Sequence, residues 1–274
     1  MTKRLKIGIV GCGAIGTSLA KIIVKEFKAG ARLAAVYDTD MKRSALVARS
    51  IIGNRRSAAG DLKSLIARCD LVIEAASAKC SLGVAREVLA AGRDIIVMSV
   101  GGVVGEYRAL SKLAAGRNAR LYIPSGAIAG IDALKASKLG RIKSVTLTTR
   151  KPPLSFKSVP YIESHSIDLN SIRKDTVLFS GSAVEAMKHF PQNINVAGIL
   201  SLAGLGPKAT KVCIVASPAA TRNSHEIVVE SEAGTITSRT ENVIHPDNPK
   251  TSYLAVLSAA ALIRQILDPV QIGT

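Results

Sequence analysis

The chain has 274 residues, 47% of them hydrophobic, and its 37 Lys and Arg against 20 Asp and Glu give a formal net charge of +17. This composition indicates a globular protein with a packed core. The basic residues are dispersed and only 3% of residues are aromatic, which argues against nucleic acid as the main partner and favours attraction of anionic small molecules.

The first predicted elements form a glycine-rich turn between a strand at 5–10 and a helix at 17–26. Three glycines are spaced G-x-G-x-x-G, so that the first permits a tight turn, the second lets the backbone approach a pyrophosphate, and the third lets helix and strand pack closely. The N–H groups and dipole of the helix N-terminus favour the phosphates. The predicted dinucleotide-binding residues of this turn are Gly11, Gly13, Ala14, Ile15 and Gly16.

The second predicted strand, at 33–37, ends in an acidic residue, Asp38. A carboxylate at this position accepts hydrogen bonds from the adenosine ribose hydroxyls and repels a 2′-phosphate, which favours NAD as the cofactor. Lys42 and Arg43 follow closely enough to neutralise a phosphate, so NADP stays an alternative.

Strands predicted at 71–74 and 94–97 continue the alternation of strand and helix up to a loop at 124–130. The alternation predicts an α/β domain of the Rossmann type, with a doubly wound parallel sheet. Ligands of such sheets bind beyond the carboxyl ends of the strands. Small residues directly after the third strand are therefore expected to lie against the nicotinamide ribose, namely Ala75, Ala76 and Ser77.

Beyond residue 130 the pattern changes to strands of alternating apolar and polar residues with few helices. This pattern predicts a second, α+β domain that carries a mixed, open-faced sheet. Strands are predicted at 143–150, 176–179, 211–215, 227–230 and 235–239, and helices at 182–189, 195–203 and 252–267.

All four histidines lie in this second half, which must supply the group that carries proton chemistry. His165 and His189 are expected to be surface or capping residues. His225 stands at a predicted strand start among hydrogen-bonding side chains, and His245 stands in a polar loop before the last helix. Spacing alone does not choose between His225 and His245.

Several separated motifs, in order along essentially the whole chain, resemble the L-aspartate dehydrogenase family. They are the glycine turn, Pro-Ser-Gly-Ala at 124–127, Phe-Pro-Gln-Asn-Ile-Asn-Val-Ala at 190–197, Arg-Asn-Ser-His-Glu-Ile at 222–227 and Asn-Pro-Lys-Thr-Ser at 248–252. The resemblance implies oxidation of L-aspartate to iminoaspartate with NAD or NADP, followed by hydrolysis to oxaloacetate and ammonia or by supply of the imine to quinolinate synthase for NAD biosynthesis.

The resemblance also implies residue roles and a domain organisation. His225 matches the active-site histidine of the family, and Ala127 and Asn195 match residues near the nicotinamide. The dinucleotide-binding domain would span 1–130, with the carboxy-terminal helix of 250–274 packing back onto it. The domain for substrate, catalysis and dimerisation would span 131–249, and a homodimer through its sheet is the expected assembly.

The chemistry of imine formation agrees with this assignment. The substrate amine must lose protons, and histidine is the side chain that titrates near neutral pH, so His225 is predicted to be the general acid/base, with His245 in reserve. A dicarboxylate also needs cationic or N–H partners. The predicted substrate residues are Lys250, Thr251 and Ser252 at the start of the last helix, with Arg150 and Lys151 as weaker candidates.

Three alternatives stay open at this point. The first is a dehydrogenase or imine reductase for another dicarboxylate. The second is an enzyme that resembles dihydrodipicolinate reductase, which is disfavoured because the paired-histidine and lysine signature of that family is absent around His165. A non-catalytic NAD-binding sensor is the third, and it would need no base.

The four cysteines lack metal-ligand spacing, so no metal is expected. With no signal peptide and no apolar run of roughly 20 residues, we expect a cytoplasmic protein without a membrane partner.

Overall fold

The computed structural model describes residues 4–190, 194–246 and 248–273, except for the side chains at 194 and 248–250. The described chain divides into two compact units. The first unit contains residues 4–124 and 256–271, and the second contains residues 125–255 with 272–273. The catalytic and dimerisation roles assigned to these parts of the chain stay predictions.

The first unit is built on a five-stranded parallel sheet in the order β2-β1-β3-β4-β5. The strand order reverses between β1 and β3, which is where dinucleotides bind in doubly wound sheets. The predicted Rossmann-type fold is confirmed. The strands are β1 Leu5–Val10, β2 Ala31–Tyr37, β3 Leu71–Glu74, β4 Asp94–Val97 and β5 Leu121–Tyr122, and the helices are α1 Ala14–Glu26, α2 Met41–Val47, α3 Leu62–Ala67, α4 Ala78–Ala90 and α5 Tyr107–Gly116.

The central strands of this sheet are buried on both faces because their sequences are nearly continuous apolar runs. Ile7 and Ile73 are at most 1% exposed and pack with Leu19 of α1. The last helix of the chain, α10 at Tyr253–Leu267, adds Val256 and Ile263 to the same core. Residues from both ends of the chain therefore stabilise the sheet that carries the glycine turn.

The second unit contains a mixed five-stranded sheet in the order β10-β9-β6-β8-β7, in which β6 and β8 run parallel and the other pairs antiparallel. This agrees with the predicted mixed sheet. The strands are β6 Ile142–Lys151, β7 Thr176–Ser182, β8 Lys211–Ala216, β9 Asn223–Ser231 and β10 Gly234–Asn242, with a small pair β11 Ile244–His245 and β12 Asn248–Ser252; the helices are α6 Ile131–Ser137, α7 Pro160–Ser164, α8 Ala183–His189 and α9 Ile194–Ala203.

One face of the second sheet forms the core of its unit. Val145 and Leu147 of β6 and Ile227 and Val229 of β9 alternate with partly exposed residues and are at most 2% exposed. This period of two is the pattern of a strand with one buried face. The alternation matters for the site because it fixes which polar residues of these strands share the buried face.

Several predicted bounds differ from the structure. The helices α3, α5, α6 and α7 were not predicted, and the helix expected around 42–51 is α2 followed by a π-helical turn at Ala48–Ile52. Strands β9 and β10 extend beyond their predicted 227–230 and 235–239. No helix in the described ranges combines the length and the apolarity that crossing a bilayer requires.

Candidate active site

The glycine turn of the first unit has a geometry that only glycine satisfies at two positions. Gly11 has φ +96°, and a Cβ there would lie 2.6 Å from the carbonyl oxygen of Ala75. A Cβ at Gly16 would lie 1.9 Å from the carbonyl oxygen of Gly11. The turn after β1 therefore packs directly against both the segment after β3 and the first turn of α1.

Gly13 differs from these two glycines because it faces open space. It is the N-cap residue of α1, and a Cβ built on it would have no neighbour within 4 Å among the described residues. In the part of the chain that the structure describes, no side chain caps this helix end, and the first turn of α1 carries no acidic residue. The backbone N–H groups at Ala14 and Ile15 thus form an uncapped, uncrowded anion site, and these residues fit a dinucleotide pyrophosphate.

Asp38 follows β2 and lies beside the glycine turn. Its Oδ2 accepts a hydrogen bond from the backbone N–H of Cys12 at 2.7 Å, and its Oδ1 accepts one from the N–H of Asp40 at 2.8 Å. Both oxygens keep further acceptor capacity for ribose hydroxyls. Arg43 lies in an exposed ion pair with Asp40 at 3.3 Å, and the same carboxylate caps α2 by accepting a hydrogen bond from the backbone N–H of Lys42. The Asp38 carboxylate is therefore oriented by a backbone N–H of the glycine turn.

The thiol of Cys12 lies within this turn. Burial, and then the negative charge of Asp38, raise the pKa of Cys12 to about 12. The side chain is consequently a protonated thiol at neutral pH, and its role is to fill space under the turn rather than to react.

A buried carboxylate that sequence reasoning missed, Glu74, ties together the ends of β3 and β4. Its side chain is 0% exposed, and its Oε1 accepts hydrogen bonds from the N–H of Ala76 and the hydroxyl of Ser99, both at 2.9 Å. Its Oε2 accepts the N–H of Ser99 at 3.0 Å. Burial raises its pKa in spite of these donors. An acidic residue ending an apolar strand was the available signal in the sequence.

These contacts place the predicted residues Ala75, Ala76 and Ser77 at the carboxyl end of the sheet. Ala75 is buried against Gly11, Ala76 and Ser77 are exposed, and Ser77 precedes α4 as its N-cap residue. The first unit thus brings together the glycine turn, Asp38 and this segment. Their contact with a nicotinamide ribose stays a prediction.

Glu74→Gln is expected to destabilise the first unit by about 1–3 kcal/mol, because the NH2 group that replaces one carboxylate oxygen cannot accept a hydrogen bond from the donors on that side. The affinity of this variant for NAD is also expected to fall, because the segment at Ala76 and Ser77 loses a hydrogen bond that fixes its position. Chemical denaturation and NAD titration measure both effects, with the exposed Glu87→Gln of α4 as the matched control. Equal stability of the two variants would show that Glu74 does not hold these strand ends.

In the second unit, His225 lies on the buried face of the sheet. It is the third residue of β9, pairs with Thr149 of β6 on one side and Thr240 of β10 on the other, and is 6% exposed. Its Nδ1 lies 3.0 Å from the hydroxyl of Thr149. Burial, and then the positive charge of Lys151, lower the pKa of His225 to about 4. The imidazole is therefore neutral at physiological pH.

The loop that contains Ala127 is bound to the same sheet. The carbonyl oxygen of Ala127 accepts hydrogen bonds from the Thr240 hydroxyl and the Asn242 amide, both at 3.0 Å, and the carbonyl of Ala129 accepts one from Ser238 at 2.8 Å. Because Thr240 is also the strand partner of His225, the loop and the histidine share one region of the second unit. Asn195, in the first turn of α9, is exposed.

The predicted substrate residues at 250–252 lie in β12 and not inside the last helix, which begins at Tyr253. The Lys250 side chain, and residues 191–193 of the motif at 190–197, lie outside the described residues. Thr251 and Ser252 are half-buried, and the Ser252 hydroxyl is a buried oxygen without a hydrogen-bond partner in the described part of the chain. Their role in substrate binding stays a prediction.

The weaker candidate Arg150 does not face the His225 side of the sheet. Strand alternation turns it to the opposite face, where its guanidinium lies 3.8 Å from a carboxylate oxygen of Asp175 and 3.6 Å from one of Glu226. These carboxylates already neutralise it. Arg150 is thus better explained as a structural ion pair than as a substrate contact.

The other histidines have ring contacts. His165 stacks on Tyr161 with ring centroids 3.9 Å apart, and His189 lies 5.1 Å from the same ring. His245 is 3% exposed and meets Tyr253 edge to face at 5.6 Å. Among residues 4–190, 194–246 and 248–273, no group of three or more His, Cys, Asp or Glu side chains could hold a metal ion.

The parallel sheet with its glycine turn, and the following mixed sheet with a buried neutral histidine, define a nicotinamide-dinucleotide-dependent oxidoreductase. Two family models match the chain. One, described as homoserine dehydrogenase, NAD binding domain, matches residues 11–124, and the other, described as aspartate dehydrogenase, C-terminal, matches residues 132–266. The predicted use of NAD or NADP agrees with the first match.

Full-length relatives define the family more closely. The chain is 45% identical to L-aspartate dehydrogenase of Methanosarcina barkeri and 46% identical to that of Methanococcoides burtonii, in both cases over 98% of this chain and 100% of the relative. The crystal structure of aspartate dehydrogenase from Thermotoga maritima superimposes with a TM-score of 0.75 at 27% identity, covering 99% of this chain and 100% of that one. The chain belongs to the L-aspartate dehydrogenase family, and the predicted resemblance is confirmed.

Proposed function

We propose that this protein oxidises L-aspartate to iminoaspartate, with NAD or NADP as the acceptor of the hydride from the substrate Cα. The observation that carries the proposal is the buried neutral imidazole of His225, hydrogen-bonded to Thr149, in a chain that matches L-aspartate dehydrogenases from end to end. A redox sensor without catalysis would need no such base.

The first unit supplies cofactor binding. The N–H groups at Ala14 and Ile15 bind the pyrophosphate, and Gly13 leaves space for it. Asp38, oriented by the Cys12 N–H, accepts hydrogen bonds from the ribose hydroxyls and repels a 2′-phosphate. We therefore propose NAD as the preferred cofactor. Ala127 and Asn195 remain predicted contacts of the nicotinamide.

The second unit supplies proton transfer. When the Thr149 hydroxyl accepts a hydrogen bond from Nδ1–H, the lone pair of His225 lies on Nε2 and is available to take a proton from the substrate amine. The same imidazole activates water when the imine is hydrolysed to oxaloacetate and ammonia. Burial of both residues fixes the ring against the sheet.

Asp38→Asn is expected to shift cofactor preference towards NADP by roughly 10- to 100-fold, because the charge that repels the 2′-phosphate is removed while Lys42 and Arg43 remain nearby. The ratio of kcat/KM for NAD to that for NADP measures the shift. Asp61→Asn, which removes an exposed carboxylate that caps α3, is the matched control and leaves the ratio unchanged. An unchanged ratio in the Asp38 variant would remove Asp38 from the ribose site.

Three wider features belong to the same proposal. We propose a homodimer through the open face of the second sheet, where Thr146, Thr148 and Val228 are half-buried. We place the protein in the cytoplasm, in keeping with four cysteines that are free thiols. Iminoaspartate hydrolyses in water, so an enzyme that consumes it directly, such as quinolinate synthase, is the proposed partner in metabolism.

The test is the rate of NAD and NADP reduction at alkaline pH with L-aspartate, L-glutamate, L-malate and L-alanine, followed by the absorbance of the reduced nicotinamide. Turnover with L-aspartate alone is the expected result. Turnover with another of the four in its place would identify a dehydrogenase for a different substrate. Tight NAD binding without turnover on any of them would overturn the assignment to L-aspartate and leave a dehydrogenase for a different substrate or a sensor.

A further inference from the structure

Lys151 lies on the same face of the second sheet as His225. Along β6 the buried side chains are Val145, Leu147, Thr149 and Lys151, and along β9 the register opposes Thr149 to His225. Lys151 lies two residues after Thr149 along β6. Because strand side chains alternate between the two faces, Lys151, Thr149 and His225 all point to the same side of the sheet. The apolar stripe of the core ends here in three polar side chains, Thr149, Lys151 and His225.

Lys151 is a buried residue that has no carboxylate partner among the described residues. The residue is 6% exposed, and no carboxylate lies within ion-pair distance of Nζ anywhere in the described chain. Burial alone lowers its pKa to about 8. The neighbouring Arg150, in contrast, has two carboxylates on the opposite face. A desolvated cation is costly unless an anion pairs with it.

We propose that Lys151 is the cation that binds a carboxylate of the dicarboxylate substrate beside His225. This inference rests on the proposed function, and it names the residue that recognises the anion. A lysine that is buried, lacks an acidic partner and shares a face with the proposed base has the charge and position that the site requires. A charge-assisted hydrogen bond in such surroundings is strong and specific for anions.

The same pairing activates His225. Burial, and then the positive charge of Lys151, lower the pKa of His225 in the free protein, so a carboxylate that neutralises this charge removes the second cause and raises the pKa of the imidazole. The histidine then becomes a stronger base only when an anion is bound. Binding of the correct substrate and readiness for proton transfer are thereby coupled.

Lys151 is the charged group on this face of the strands around His225. On the same face, Ile214 of β8 is the strand partner of Thr149, and Thr240 of β10 is the strand partner of His225. Neither residue is charged. Glu226 and Arg150 belong to the opposite face. A change in the His225 titration after substitution of Lys151 therefore reports on this pair.

Lys151→Met tests the proposal by kinetics and by binding. With wild-type protein saturated with NAD, succinate serves as a dicarboxylate that cannot react. Loss of Lys151 is expected to weaken succinate binding, and to raise KM for L-aspartate, by roughly 10- to 100-fold. Lys151→Arg, which keeps the charge, is expected to restore part of both. Lys143→Met, an exposed lysine of the same strand, is the matched control and matches wild type.

The pKa of His225, measured by NMR of its ring, is a second readout that a structural role would not move. It is expected to rise in Lys151→Met, because the neighbouring cation is gone. Succinate is expected to raise it in wild type and to leave it unchanged in Lys151→Met. Equal responses to succinate in the two proteins would contradict the proposed coupling.

Measurements of stability show whether Lys151→Met is folded, so that misfolding does not explain a loss of binding. Lys151 has a lowered pKa of about 8, so between that value and its ordinary 10.5 the unfolded chain binds a proton that the folded protein does not. Wild type is therefore expected to gain stability as pH rises through this window, and Lys151→Met, when compared with Lys143→Met, to lack that gain. A cooperative thermal transition confirms that the variant is folded.

The outcomes separate this inference from the proposed function. Wild type that neither turns over L-aspartate nor binds succinate would overturn both. Wild type that does both, with Lys151→Met indistinguishable from it, would overturn the role of Lys151 alone. Weakened binding in Lys151→Met with unchanged Lys143→Met supports the role.

Discussion

Replacement of His225 by Asn is expected to lower kcat with L-aspartate by roughly 10²- to 10⁴-fold, the range that a general acid/base contributes. NAD affinity is expected to stay within about twofold of wild type, because a proton-transfer group lost from the reaction leaves cofactor binding largely unchanged. Initial rates and NAD titration measure the two quantities. Asn keeps a polar group opposite Thr149, so the sheet register is preserved.

His165→Asn is the matched control for this variant, since His165 is exposed and stacks on Tyr161. It is expected to leave kcat unchanged. Turnover retained in His225→Asn would contradict the assignment and direct attention to His245. The pH profile adds a check: because the pKa of His225 is lowered to about 4, the acidic limb of kcat/KM that it causes should lie near that value.

Gly13→Ala and Gly16→Ala are expected to fail in different ways. A methyl group at Gly13 meets no described atom within 4 Å, so the variant folds normally but loses roughly 100-fold in NAD affinity, because the methyl occupies the space of the pyrophosphate. A methyl group at Gly16 would lie 1.9 Å from the Gly11 carbonyl oxygen. Helix α1 must then shift, and we expect a loss of about 3 kcal/mol or more in the free energy of unfolding.

Chemical denaturation and NAD titration of the two variants distinguish these failures. Gly83→Ala, at an exposed position inside α4 with open space around it, is the control and is expected to be as stable as wild type or slightly more so. Normal NAD affinity in Gly13→Ala would contradict the phosphate site at the start of α1.

The nucleotide-binding sheet was largely predictable because its signals are local. Strands 71–74 and 94–97 match the structure residue for residue, since each is a short apolar run bounded by polar or small residues. The helices α3, α5, α6 and α7 were missed because they are short or only weakly apolar. Helix α3, for example, covers six residues and depends on the side chain of Asp61 for its cap.

The second sheet was predictable in type but not in extent. The predicted strands 227–230 and 235–239 stop where the apolar alternation stops, whereas β9 begins at Asn223 and β10 continues to Asn242. The polar ends pair with each other and with β6 through backbone hydrogen bonds that leave no mark in side-chain pattern. His225 thus lies within a strand and not at its start.

The site was predictable only in its parts. Asp38 and the glycines follow from local spacing, and their roles towards a cofactor stay predictions. The meeting of His225 with Thr149 depends on strand pairing across 76 positions, and the separation of Lys151 from Arg150 depends on which face of β6 each occupies. From the sequence, Arg150 and Lys151 are equal candidates for a substrate contact. In the structure Lys151 is buried without a carboxylate partner among the described residues, whereas Arg150 pairs with two carboxylates.

The most direct test of the account uses L-aspartate with deuterium at Cα. We expect the purified protein to transfer this deuterium to NAD, so that mass spectrometry finds deuterated reduced nicotinamide in amounts equal to the oxaloacetate or trapped iminoaspartate formed. His225→Asn is expected to form both at a correspondingly lower rate. Absence of deuterium from the nicotinamide, with wild type folded and NAD bound, would contradict the assignment of this chain as an enzyme that oxidises L-aspartate.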